Sequence, residues 1–299
     1  MGEIILTDSI SIDSPQYPQL LKSIPDAPKK LYYKGDWDEN IFSHCLAVVG
    51  ARRMTRYGKQ VTDLLVSELA AVGITIVSGF MYGIDAAAHQ AAVSIQGRTI
   101  ACMPCGIDII HPAYQKNLYE QILENHGLII SEYEGDFPPA LWTYPRRNRI
   151  VAGLSAATMV VEAGLASGSL ITAKLAAKFG RKLFAVPGML TSALSKGPMR
   201  LIKQGAEIVT SANDVMDFYK ISVQGLAEED FLINSSSSLQ QRILRELKHE
   251  PMDMDILSYK LRISIPQLST EISLLQLKGI IIEQAGKYNL NIKRQINVS

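Results

Sequence analysis

The feature that most constrains this chain's fold is an alternation running from Leu46 to Val186. Short apolar runs recur at residues 46–49, 74–77, 99–103, 128–130, 157–162 and 182–186. They are brief and rich in β-branched residues, and they have no polar face. Such runs read as strands covered on both sides, as in a parallel sheet. Between them lie stretches with helical character at 57–72, 85–95, 113–125, 146–153 and 169–179. Strand and helix in strict alternation predict a Rossmann-like α/β fold built on a doubly wound parallel sheet. Right-handed crossovers then place helices on both faces.

The flanks of this core differ in character. Residues 1–44 carry Pro and Tyr in SPQYPQLLKSIPDAPKKLYYKG, without a long helical period, and are expected to extend the core and pack on it. The core domain is expected to span 45–222. A linker is expected at 223–238, where an acidic run leads into Ser235–Ser238. From 239 to 299 the pattern is helical, then hairpin-like. Leu239, Ile243, Leu244 and Leu247 share a stripe, and a second helix follows Asp253. A third opens near Pro266 and carries Leu268, Ile272 and Leu275 before Gly279. IIIEQAGKYNLN then reads as a hairpin turning at Ala285–Lys287. Three helices and a hairpin predict a small winged-helix domain.

Composition excludes several classes. The 299 residues are 47% hydrophobic and 20% charged, with a net charge of +1. This is an ordinary globular balance, and any nucleic-acid site must be a local patch. The longest charge-free run, Leu69–Ile84, is 16 residues and contains three glycines, short of a membrane span. The N-terminus does not read as a signal peptide. Three cysteines do not make a disulfide framework. The expectation is a cytoplasmic protein without membrane contact.

Ligands of open α/β sheets sit at the carboxyl ends of the strands, and the loops there are the informative part of this chain. GARRMTRYG (50–58) offers Gly50 for a tight turn and Arg52, Arg53 and Arg56 before a helix N-terminus, which itself favours anions. SGFMYGID (78–85) supplies Ser78, Gly79 and Gly83, with Asp85 placed to cap the next helix. EAGLASGSLITAK (162–174) supplies Gly164 and Gly168 for close backbone approach, Ser169 and Thr172 as donors, and Lys174 beyond them. YPRRNRI (144–150) sets Arg146, Arg147 and Arg149 around Asn148, beside Trp142 and Tyr144. That combination suits phosphate contacts with base stacking nearby. Each loop also has a plain structural reading: glycines for packing, a Ser that caps a helix, arginines on a solvated face or paired with Glu132 or Glu134. The convergence of four loops on one sheet edge favours a ligand. Neither G-x-G-x-x-G nor G-x-x-x-x-G-K-[ST] is present.

Catalytic candidates are sparse. Cys102 and Cys105 form C-x-x-C, but only Cys45 remains besides, too few for a four-thiolate zinc site. His89, four residues after Asp85, reads as a structural histidine, and His111 has no evident partner. Glu132 and Glu162 end strands and offer either an acid/base pair or, more in keeping with their positions, acceptors for loop N–H and Arg groups. No metal, cofactor or nucleophile is expected.

VVGARRMTRYG, SGFMYGIDAAAH, GRTIACMPCGIDIIHP, ISEYEGDFPP, YPRRNRIVAGLS, VVEAGLASGSLITAKLA and GRKLFAVPG occur in this order. Together they resemble the bacterial DNA-processing protein A family (DprA, also called Smf) over about residues 15–215. The resemblance implies a non-catalytic protein that binds single-stranded DNA, dimerises and loads RecA onto that DNA during natural transformation. It would displace or bypass single-strand-binding protein in doing so. It also implies site residues, matched by position: Gly50 and Arg52; Ser78, Gly79, Gly83, Ile84 and Asp85; Pro145, Arg147, Asn148 and Arg149. Arg146 fills a variable slot, and Arg53, Ser169 and Lys174 adjoin the pattern. The chain departs from that pattern at Ala51, Met81, His111, Gln115 and Met199. No N-terminal sterile-alpha-motif domain is expected.

Four phosphate contacts from these arginines would give a salt slope of about −3 and a roughly 60-fold loss of affinity between 50 and 200 mM salt. The third winged-helix helix carries only Glu271 and Lys278 as charges, so a protein-contact or regulatory role suits that domain better than duplex reading. Two alternatives come from other classes. One is a phosphoribohydrolase-like enzyme using Glu132 or Glu162 as acid/base. The other is a winged-helix transcription regulator with the α/β part as sensor.

Overall fold

The computed structural model describes residues 7–221, 238–277, 280–284 and 286–290. Contacts divide the chain into two compact units, parting between Ile221 and Ser222.

The first unit is built on a nine-stranded sheet. In chain order its strands are β1 (Asp8–Ser11), β2 (Lys30–Gly35), β3 (Cys45–Val49), β4 (Thr75–Ser78), β5 (Thr99–Cys102), β6 (Leu128–Ser131), β7 (Ala157–Val160), β8 (Lys182–Ala185) and β9 (Glu207–Ile208). Across the sheet the order is β1-β2-β6-β5-β4-β3-β7-β8-β9. The six apolar runs of the sequence are β3 to β8, each within a residue or two of its expected bounds, and β3 to β7 are buried throughout. They pair in parallel, for example Leu46 with Ile76 on one side and Ala157 on the other.

The helices are α1 (Gln19–Lys22), α2 (Arg56–Ala71), α3 (Ile84–Ser94), α4 (Lys116–Glu124), α5 (Thr143–Leu154), α6 (Ser169–Lys178), α7 (Lys196–Lys203) and α8 (Ala212–Tyr219). The chain steps outward from β3 through β4 and β5 to β6, then returns through α5 to β7 on the other side of β3. Right-handed crossovers therefore put α2, α3 and α4 on one face and α5 and α6 on the other. The reversal falls between β3 and β7, the topological switch point at which open α/β sheets hold ligands.

The N-terminal segment contributes more than packing. β1 and β2 extend the sheet beyond β6, and both pairings are antiparallel, Tyr33 opposite Asp8 and Ile130. The sheet is thus parallel in its centre and antiparallel at this edge. Ile10, Tyr17, Leu21 and Ile24 share one core with Ile150, Val151 and Leu154 of α5.

The second unit contains α9 (Ser238–His249), α10 (Met254–Leu261), α11 (Ile265–Leu277), and the hairpin β10 (Ile281–Gln284) and β11 (Lys287–Leu290). Ile243, Leu244, Leu247, Leu268, Ile272 and Leu275 close its core, with Leu239 half-buried against them. Asp253 caps α10, its carboxylate accepting the Ile256 N–H at 2.8 Å. The expected linker lies outside the described residues except for Ser238, which opens α9. Gly279 and Ala285 also lie outside them. Among the described residues no helix is long and apolar enough to cross a membrane.

Candidate nucleic-acid interface

A cleft of about 550 Å³ opens at the switch point. The loop after β3 brings Gly50, Arg52 and Arg53, the loop after β4 brings Gly79, and the first turn of α3 brings Asp85. Tyr144, Pro145, Arg147 and Asn148 come from α5, and Gly168 and Ser169 from the start of α6. Four loops far apart in sequence meet because each follows a strand that ends at this edge.

Arg52 and Arg53 are exposed, and neither takes part in an ion pair among the described residues. The Arg52 guanidinium lies 5.8 Å from the Tyr82 ring centroid and 5.4 Å from that of Tyr144. Both tyrosines keep the cation extended at the mouth of the cleft. The loop carrying it is anchored from below by Glu162. The carboxylate accepts the Thr55 N–H at 2.8 Å and the Thr55 hydroxyl at 2.6 Å. The Thr55 hydroxyl in turn accepts the Gly58 N–H at 3.0 Å and so caps α2.

Arg147 is buried and forms the floor. It donates to the carbonyls of Gly79 and Cys102, and its Nε reaches Asn148 Oδ1 at 3.3 Å. Gly79 is required by this arrangement. A Cβ there would sit 2.7 Å from the Arg147 guanidinium and 2.7 Å from the Asp85 carboxylate. Gly83 has φ +83°, and a Cβ would strike the carbonyls of Ala51 and Arg52. It is also the residue preceding α3, so Asp85 is not the cap that the sequence suggests. Asp85 lies within the first turn and reaches back toward the Met81 N–H at 3.4 Å. Burial pushes its carboxyl up to about 6, with Arg147 opposing the shift.

The other arginines of YPRRNR are engaged elsewhere. Arg146 is bidentate to Glu132, at 3.0 and 3.2 Å. Arg149 is buried, with Nη2 2.5 Å from Glu132 and Nε 3.2 Å from Asp26. Ser78 is buried at the end of β4, its hydroxyl donating to the Val48 carbonyl at 2.6 Å. Lys174 is exposed on α6, away from the cleft lining. The cleft therefore gathers Gly50, Arg52, Arg53, Gly79, Asp85, Arg147, Asn148 and Ser169, and leaves Ser78, Gly83, Arg146, Arg149 and Lys174 behind or beside it. Both carboxylates proposed for acid/base work act as acceptors, Glu162 for a loop and Glu132 for arginines.

His111 has a partner that spacing does not reveal. Its Nε2 lies 2.8 Å from the Tyr144 hydroxyl. Burial, reinforced by Arg147 and Arg52, holds the ring below its ordinary imidazole value. Gln115 donates to the Phe80 carbonyl at 2.9 Å, which steadies Phe80 in its left-handed backbone, φ 55°. Ala51 and Met81 are buried in the cleft wall, and Met199 is half-buried on α7. His89 lies in the core. Its Nδ1 is 2.7 Å from the Thr99 hydroxyl, and burial lowers its pKa to about 3. Cys102 and Cys105 are buried free thiols, each raised to about 12 by burial. Among the described residues no cluster of three or more His, Cys, Asp or Glu is placed to hold a metal ion.

Residues 8–220 match the family described as DNA recombination-mediator protein A, and residues 228–287 match the DprA winged helix domain. Protein Smf of Escherichia coli is 36% identical over 97% of this chain and 78% of its own length. DNA processing protein DprA of Bacillus subtilis is 41% identical over 70% of each chain. The solved structure of DprA from Streptococcus pneumoniae aligns with a TM-score of 0.67 at 40% identity, covering 70% of this chain and 73% of that one. That of DNA processing protein A from Helicobacter pylori, described for its single-stranded DNA binding mode, aligns at 0.65 and 33% identity, covering 74% and 98%.

Proposed function

The chain belongs to the DNA recombination-mediator protein A family, and from that premise we propose that its switch-point cleft binds single-stranded DNA. The observation that carries the proposal is Arg52. It is an exposed cation in no ion pair among the described residues, held near two tyrosine rings above a floor of backbone and buried Arg147. A phosphate satisfies Arg52, Arg53 and the N–H groups of the loop entering α6. Tyr144 and Tyr82 offer ring faces to unpaired bases. None of these contacts reads a base edge, so binding is largely independent of sequence.

The reading extends to a non-catalytic recombination mediator in natural transformation. The protein would hold the strand as a homodimer and pass it to RecA, with single-strand-binding protein displaced. The phosphoribohydrolase reading finds no support in Glu132 or Glu162, whose oxygens are occupied by arginines and by Thr55. The test is fluorescence anisotropy with a labelled oligonucleotide, single-stranded and as duplex. Wild type is expected to prefer the single strand, and Arg52→Glu to lose that binding by at least about tenfold. Equal binding of both forms, or an unaffected variant, would reject the cleft as the site. Release of free base from a nucleoside monophosphate would instead support the enzyme.

A further inference from the structure

Just before α5, the segment after β6 exposes an aromatic cluster that the cleft does not include. The Tyr133 and Phe137 rings stack at 4.8 Å with 17° between planes. Trp142 meets both edge-on, at 5.9 and 6.0 Å. Trp142 is 54% exposed and Phe137 37%, and Leu141 beside them is 91% exposed. Trp142 and Phe137, exposed at this level beside the half-buried Tyr133, mark a binding surface rather than core.

The cluster is rigidly held. Gly106 N–H donates to the Phe137 carbonyl at 2.7 Å, Asp108 N–H to Gly135 at 3.0 Å and Ile107 N–H to Tyr133 at 3.1 Å. The backbone under the rings is thus fixed to the segment after β5. A platform whose rings are already oriented loses little entropy when something stacks on it.

Its position and charge select the occupant. Trp142 directly precedes α5, and its carbonyl accepts the Arg146 N–H. Tyr144 and Pro145, two and three residues on, line the cleft. Trp142 thus lies within one helical turn of two residues that line the cleft. Glu132, Glu134 and Asp136 lie on the same segment. Glu132 is neutralised by Arg146 and Arg149, but the surroundings are not cationic. They suit the π-face of a base, not a phosphate.

We propose that Trp142, backed by Phe137 and Tyr133, is a stacking platform for an unpaired base of the strand held in the cleft. This inference rests on the cleft binding single-stranded DNA, and its test separates the two. Wild type, Trp142→Ala and Trp142→Tyr are titrated with labelled oligothymidylate and with the same strand carrying consecutive abasic sites. Trp142→Ala is expected to weaken binding of the normal strand about tenfold, and Trp142→Tyr to retain most of it. The abasic strand, with its phosphates intact, should bind wild type more weakly than the normal strand, and Trp142→Ala should weaken its binding no further.

A second readout leaves Trp142 in place. The chain has two tryptophans, Trp37 and Trp142. In a Trp37→Phe background, saturating oligonucleotide should quench the remaining emission. Full affinity of Trp142→Ala, indifference of wild type to abasic sites, or unchanged emission with the strand bound would each overturn the platform while leaving the cleft intact. A wild type that binds no single strand would overturn both.

Discussion

At the scale of single residues, the cleft is organised by Arg147 more than by the arginines at its rim. Its guanidinium is buried and fixed by two carbonyls, so the loop after β4 must pass over it without a side chain. Gly79→Ala places a methyl group against a guanidinium that cannot move. It is expected to cost about 1–3 kcal/mol, measured by urea denaturation, and to weaken strand binding in the same preparation. Asp85 offers a pH test. Its folded pKa, about 6, lies above the ordinary 3.8. Its contribution is therefore fully present below pH 3.8 and declines as pH rises through 6. His89, lowered to about 3, contributes with the opposite sign, so the two must be separated. Asp85→Asn removes only the first. The variant's stability relative to wild type should rise by about 2 kcal/mol between pH 4 and 7, less than the full shift implies because the carboxylate faces the open cleft. A difference that does not change with pH would mean that Asp85 is not desolvated.

At the scale of elements, Glu132 and Glu162 are the two fasteners of the site. Glu132 sits just past β6 and holds Arg146 and Arg149 of α5, while Arg149 also reaches Asp26 of the N-terminal segment. Glu132→Ala leaves a buried guanidinium short of its carboxylate, and a loss of about 3–5 kcal/mol is expected by thermal or urea denaturation. A loss under 1 kcal/mol would show that Asp26 alone suffices. These fasteners mark where sequence reading succeeds and where it stops. β3 to β7 are legible because burial on both faces leaves no charged residue to interrupt the run. β1, β2 and β9 are not. DSIS and KLYYKG lie at or near an edge, carry polar residues and pair antiparallel, and Glu207–Ile208 is too short to show a period. The arginines of YPRRNR look alike in sequence, yet helical geometry turns Arg147 into the cleft and Arg149 into the N-terminal core. Only the fold reveals which carboxylate each one meets. Likewise His111 and Tyr144 are 33 residues apart, and nothing in their spacing announces the bond between them.

At the scale of the whole molecule, every residue that lines the cleft lies in the first unit, which ends at Ile221. A chain ending at 221 should therefore bind the single strand within about threefold of the full chain at equal salt, because it retains the arginines proposed to contact phosphate. A larger loss would assign part of the binding to residues 222–299. The net charge of +1 makes the salt dependence a measure of local contacts alone. Of the arginines counted in the sequence, Arg146 and Arg149 are held by Glu132 and Arg147 is buried against carbonyls. Among the described residues, that leaves Arg52 and Arg53 as the cations of the cleft outside any ion pair. Two contacts at about −0.7 each give a slope near −1.4, a roughly sevenfold loss from 50 to 200 mM salt in place of the roughly 50-fold that four such contacts would give. A homodimer on one strand doubles the contacts and restores a slope near −2.8. The measurement is a salt titration with two oligonucleotides, one filling a single cleft and one long enough to bridge two. The slope should steepen about twofold on the longer strand, with complex mass doubling in step. A flat response on both strands would remove phosphate contacts from the account. A slope near −3 on the short strand would mean that Arg146 and Arg149 leave Glu132 when the strand binds.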